Sequence, residues 1–90
     1  MAIAALKIKI MPESPEVDLE AIKKKVEEIA SGLNVKIHSY DIQPVAFGLK
    51  SLEVLFAWPE EMEQEKIEAP LREIEHVESV EVTDFRRAIG

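Results

Sequence analysis

Two stretches of the chain place apolar residues at every second position. Leu6, Ile8 and Ile10 are separated by Lys7 and Lys9, and Leu52, Val54, Phe56 and Trp58 are separated by Glu53, Leu55 and Ala57. A period of two belongs to a strand with one face on a core, so a second layer must cover that face. Between the two strands, Pro12 and Pro15 interrupt the extended run and Asp18 is placed to cap a helix. Leu19, Ile22, Val26, Ile29 and Ala30 then recur at helical spacing. Gly32 is expected to end this helix in the left-handed conformation.

The run from Val35 to Ile42 is rich in β-branched and aromatic residues, which predicts another strand. The segment from Gln43 to Gly48 then predicts a hairpin connection with Phe47 near its tip, because Pro44 limits pairing and Gly48 permits an unusual backbone angle. Pro59 closes the following strand. Met62, Ile67, Leu71 and Ile74 predict a second helix, which Pro70 should kink or begin. Val80 and Val82 alternate with Glu81 and Thr83 in a short final strand, after which Phe85 to Gly90 end the chain.

The order β-α-β-β-α-β predicts an α+β, ferredoxin-like sandwich: one antiparallel sheet with two helices on one face. The 90 residues, 47% hydrophobic and 32% charged, suit a single soluble domain spanning 1–90. In this topology the hairpin carrying Phe47 and the C-terminal arginines fall at opposite ends, about 20–25 Å apart for six or seven residues of strand.

Composition narrows the chemistry. With no cysteine there is no disulfide, thiolate metal site or cysteine nucleophile. The longest apolar runs, Met1 to Leu6 and Val54 to Trp58, are far shorter than a bilayer span, and the N-terminal segment lacks the pattern of a secretory signal, so a cytoplasmic location is expected. The net charge of −7 lies entirely in the second half, where residues 53–90 carry eleven acidic and four basic side chains. Such a surface repels a phosphate backbone, and neither nucleic acid nor membrane is an expected partner.

His38 and His76 are the two histidines and are distant in sequence. No serine has a nucleophile-elbow motif, and no phosphate-binding loop, calcium loop or zinc motif is present. No covalent chemistry and no cofactor are therefore expected. Two features stand out instead. Phe47 is a large aromatic between Ala46 and Gly48 on a hairpin; it either fills a partner's pocket or folds back onto its own sheet. Arg86 and Arg87 form a basic end on an acidic domain, and are either functional or an incidental feature of a frayed terminus.

The stretch Pro44-Val45-Ala46-Phe47-Gly48-Leu49-Lys50-Ser51-Leu52 resembles the signature of the guanine-nucleotide-exchange domain of translation elongation factor 1-beta. The segments from Met11 to Leu19 and from Val77 to Arg87 also resemble its short archaeal branch, in which this domain stands alone. The resemblance implies a ferredoxin-like fold and a GTPase partner, elongation factor 1-alpha. It implies that Phe47, with Gly48 and Lys50 beside it, contacts one domain of that GTPase. It further implies that a basic residue near the C-terminus, Arg87 with Arg86 next to it, reaches the partner's magnesium and phosphate site. The eukaryotic branch has lysine at the position of Arg87, and an arginine there replaces a compact ammonium with a broad guanidinium.

Two other readings of the topology stay open on the residues alone. A regulatory domain would bind a small molecule between subunits. An acylphosphatase-like enzyme would need an anion-holding arginine in an N-terminal loop, and the first arginine of this chain is Arg72.

Overall fold

The computed structural model describes residues 3–87. The ends of the expected 1–90 domain, including Ala88 to Gly90 of the basic terminus, lie outside the described residues. The elements are β1 (Ile3–Pro12), α1 (Leu19–Gly32), β2 (Lys36–Pro44), β3 (Lys50–Pro59), α2 (Glu65–Arg72) and β4 (Val77–Arg87). They form one sheet in the order β2-β3-β1-β4 with every neighbouring pair antiparallel. This is the α+β, ferredoxin-like arrangement the order of periodicities predicts.

The alternation in β1 and β3 has the expected cause. Leu6, Ile8 and Ile10 face the helices with Leu52, Val54, Phe56 and Trp58, and all seven are fully buried. Ile22, Val26 and Ala30 of α1, Ile67 and Leu71 of α2, and Val35 and Ile74 just after the two helices complete the core. Asp18 caps α1 as expected, its side chain accepting the Glu20 N–H at 3.0 Å.

The helix ends differ from expectation. Gly32 is an ordinary helical residue, and the left-handed position belongs to Asn34 at φ 58°. The Asn34 N–H bonds the Ser31 carbonyl and the Val35 N–H bonds the Ala30 carbonyl, the pairing of a Schellman cap. Asparagine tolerates that conformation, so the cap falls two residues beyond the glycine. The second helix is also shorter than its apolar spacing suggests. Met62 and Ile74 lie outside it, and Pro70 sits within it, five residues after its first residue rather than at its start.

The final strand, by contrast, is longer than predicted. It runs eleven residues to Arg87, because β1 offers an unpaired edge along its whole length: Phe85 pairs with Leu6, Arg86 with Ala5 and Arg87 with Ala4. Arg86 and Arg87 are thus rungs of a ladder, not a frayed tail.

Candidate partner interface at two ends of the sheet

The β2–β3 hairpin is closed by the pair Pro44 and Lys50, beyond which the Val45 N–H bonds the Leu49 carbonyl at 2.8 Å and the Leu49 N–H bonds the Ala46 carbonyl at 2.9 Å. Phe47 and Gly48, the residues inside that turn, both have positive φ, 55° and 80°. Positive φ at both central positions is what a turn of the I′ class requires. Glycine meets the requirement freely; phenylalanine does so at a cost of order 1 kcal/mol or more.

The Phe47 side chain does not fold back onto the sheet, since the residue is 96% exposed. Ile42 and Val45, 41% and 46% exposed, lie on the same hairpin, so three of the four exposed large hydrophobic residues among the described residues gather at one end. Lys50 is exposed beside them, and Gly48 packs toward Pro15 of the β1–α1 loop, whose Cγ lies 3.7 Å from where a Gly48 Cβ would sit. Apolar surface projecting from a strained turn is unusual, because neither burial nor backbone preference holds it there.

The arginines lie at the other end. Arg87 pairs with Ala4, which pairs with Trp58 of β3. Eight residues of β3 separate Trp58 from Lys50 at the hairpin, about 26 Å at the usual strand rise. The pleat then divides the two arginines. Ala4 is buried on the helix-covered face, so Arg87 projects to that side, whereas Arg86 opposite Ala5 projects from the open face. Each has its own anion: the Arg86 Nε donates to Asp84 Oδ2 at 3.0 Å, and the Arg87 Nε lies 3.3 Å from Glu60 Oε1.

The remaining titratable groups do not converge on a reaction centre. His38 lies on β2 near the arginine end, and His76 precedes β4 at the hairpin end, its Nδ1 3.3 Å from Glu13. Among the described residues no group of three or more His, Cys, Asp and Glu side chains could hold a metal ion. The Tyr40 hydroxyl pKa is pushed up to about 12 by burial and then by the carboxylates of Glu27, whose Oε1 accepts from the Tyr40 hydroxyl at 3.3 Å, and Glu20. Lys23 lies over its ring at 5.0 Å. This cluster fastens α1 to the edge strand β2. Among the described residues no helix is long and apolar enough to cross a membrane.

The fold defines a class of small ferredoxin-like α+β domains. A solved structure of that fold, the C-terminal domain of the MgtC protein from Mycobacterium tuberculosis, superposes with a TM-score of 0.69 over 96% of this chain and 88% of its own at 10% identity. Within the class the assignment is specific. The chain belongs to the EF-1 guanine nucleotide exchange domain family, which matches residues 5–88. Elongation factor 1-beta of Methanothermobacter thermautotrophicus is 48% identical over 82 residues, covering 89% of this chain and 90% of the relative. That of Methanocaldococcus jannaschii is 42% identical over 98% of this chain and 100% of its own length, and that of Staphylothermus marinus is 38% identical over 97% and 98%.

Sequence reasoning singled out Phe47, Gly48, Lys50, Arg86 and Arg87, but it missed Glu60, Ile42 and Val45. Glu60 is hidden in a run of glutamates, Ile42 looks like an ordinary strand residue, and Val45 like an ordinary residue of the hairpin connection.

Proposed function

We propose that this chain is a guanine-nucleotide exchange factor that promotes GDP release from elongation factor 1-alpha in the cytoplasm, acting as a stand-alone domain without covalent chemistry. The observation that carries the reading, beyond family membership, is the exposed Phe47 in its left-handed turn at the pole opposite Arg87.

An exchange factor must bind the nucleotide-free or distorted GTPase better than the GDP-bound form, because a ligand shifts an equilibrium only by its differential affinity. Two contacts at opposite ends of the sheet, separated by about 26 Å of β3, divide that task. Phe47, flanked by Gly48 and Lys50, supplies affinity that is the same in both states by filling an apolar pocket. Arg87 supplies the difference. Its positive charge competes for the phosphate and carboxylate oxygens that would otherwise bind the partner's magnesium, and the exclusion of water strengthens the effect. Every 1.4 kcal/mol lost by the GDP complex weakens nucleotide binding about tenfold.

The test is release of labelled GDP from elongation factor 1-alpha with and without the domain. Acceleration at substoichiometric domain is expected, and an unchanged rate would refute the reading. Deleting the terminus from residue 86 is a poor probe, since it removes two rungs of the β1–β4 ladder together with the charges.

A further inference from the structure

We propose that Glu60 is a positioning residue that holds Arg87 by its Nε edge and so turns the terminal nitrogens of the guanidinium toward phosphate oxygens. The inference rests on the role given to Arg87 above and names the residue and the anion chemistry that make that role effective.

The pair is asymmetric. The Arg87 side chain is 76% exposed at the end of an edge strand, whereas that of Glu60 is only 20% exposed. The shielded member therefore fixes the exposed one. Glu60 follows the last residue of β3 in a turn closed by the Met62 N–H donating to the Pro59 carbonyl at 3.0 Å. That turn is pinned from within, since the Trp58 indole N–H donates to the Met62 carbonyl at 2.9 Å and Trp58 is fully buried. The carboxylate thus stands on the core, and a long side chain that would otherwise sample many rotamers is given one place.

Geometry also explains why an arginine suits this position. A guanidinium has five N–H donors, one on Nε and four on the terminal nitrogens. Among the described residues Glu60 is the only acid paired with Arg87, its Oε1 lying 3.3 Å from Nε as an ion-pair contact on that edge of the guanidinium rather than as a directed hydrogen bond. The four terminal donors then remain for a second anion, in the fork that matches phosphate or carboxylate oxygens two at a time. A lysine has one nitrogen and would have to divide it between Glu60 and the target. Arg86 lacks this support: its partner Asp84 is two residues away on the same strand and is itself 45% exposed.

The experiment measures labelled GDP release from purified elongation factor 1-alpha against concentration of the full chain, for wild type, Glu60→Gln, Arg87→Ala, the double variant, and Arg87→Lys with and without Glu60→Gln. Glu60→Gln is expected to lower the maximal release rate about two- to fivefold, the scale of an exposed or half-shielded ion pair, with the half-maximal concentration unchanged. It should add nothing to Arg87→Ala, and in the Arg87→Lys background, where Glu60 competes with the target for the single nitrogen, it should raise the rate rather than lower it. Glu60→Asp, which keeps the charge one methylene short, should fall between wild type and Glu60→Gln. Equal maximal rates for wild type and Glu60→Gln, or the same slowing in the Arg87→Ala background, would overturn the inference. If Arg87→Ala slows release while Glu60→Gln does not, only the positioning role fails; if Arg87→Ala is itself without effect, the role of Arg87 fails and this inference with it. Urea midpoints of all variants report whether the fold is retained.

Discussion

Arg87 faces Ala4 across the β1–β4 ladder, and Ala4 is 2% exposed beneath the helices, so the last described residue of the chain projects to the helix-covered side of the sheet. The residue before it therefore projects from the opposite face, although both arginines border one cleft with Ala5, His38 and Leu55 at this end of the sheet.

Arg87→Ala is expected to lower the maximal rate of stimulated GDP release at least about tenfold, a loss of roughly 1.4 kcal/mol, while Arg86→Ala changes it less than about twofold. Stopped-flow release of labelled GDP at saturating domain distinguishes them. Equal effects would mean that the two arginines serve one site despite their opposite faces.

Phe47 separates stability from binding. Because the ring is almost wholly exposed, Phe47→Ala should change unfolding free energy by less than about 0.5 kcal/mol yet weaken association with the GTPase by about 2 kcal/mol, or thirtyfold. Phe47→Gly removes the left-handed penalty at φ 55° as well and should raise stability by up to about 1 kcal/mol. Urea unfolding and equilibrium binding of each variant give the two numbers, and a Phe47→Ala domain that binds as wild type would remove Phe47 from the interface.

Trp58→Phe should be costly. It removes the donor to the Met62 carbonyl and leaves a void under the β3–α2 turn, together about 2–3 kcal/mol, seen as a lower urea midpoint by circular dichroism. If the turn also supports Glu60, the variant should slow maximal GDP release while still folded at low temperature.

Tyr40 predicts a pH dependence with a definite sign. Burial first, and then the carboxylates of Glu27 and Glu20, push its folded-state pKa up to about 12 from the ordinary 10.0. The unfolded chain ionises first, so the stabilisation is complete below pH 10 and is lost as pH rises from about 10 to 12. Tyr40 is the only tyrosine, so tyrosinate absorbance reports its titration directly. Tyr40→Phe should flatten the alkaline fall in stability relative to wild type, and a tyrosinate midpoint near 10 in the folded protein would contradict the placement of Glu27.

The fold and one pole of the proposed interface were legible because they rest on local pattern. Leu6, Ile8 and Ile10, and Leu52 through Trp58, declare their faces by alternation, and Phe47-Gly48 declares a turn because glycine marks positive φ. The cap falls at Asn34 rather than at the expected Gly32 because both residues tolerate the left-handed backbone and only the hydrogen bonds from Asn34 and Val35 choose between them. The extent of β4 was underestimated because its last rungs, Arg86 and Arg87, carry no strand pattern of their own; they are extended because Ala5 and Ala4 offer them partners.

By itself, then, the sequence determined the order of the elements, which residues form the core, and that an aromatic turn and a basic end lie at opposite poles. Periodicity acts over a few neighbours and is written in residue type. Tertiary structure alone decided that Arg86 and Arg87 point to opposite faces, that Glu60 rather than any of the glutamates around it meets Arg87, and that buried Trp58 anchors the turn between them. The first two rest on contacts between residues distant in sequence, set by sheet register, and the third on burial of Trp58 by the rest of the core; one acidic side chain in a run looks like the next until the chain is folded.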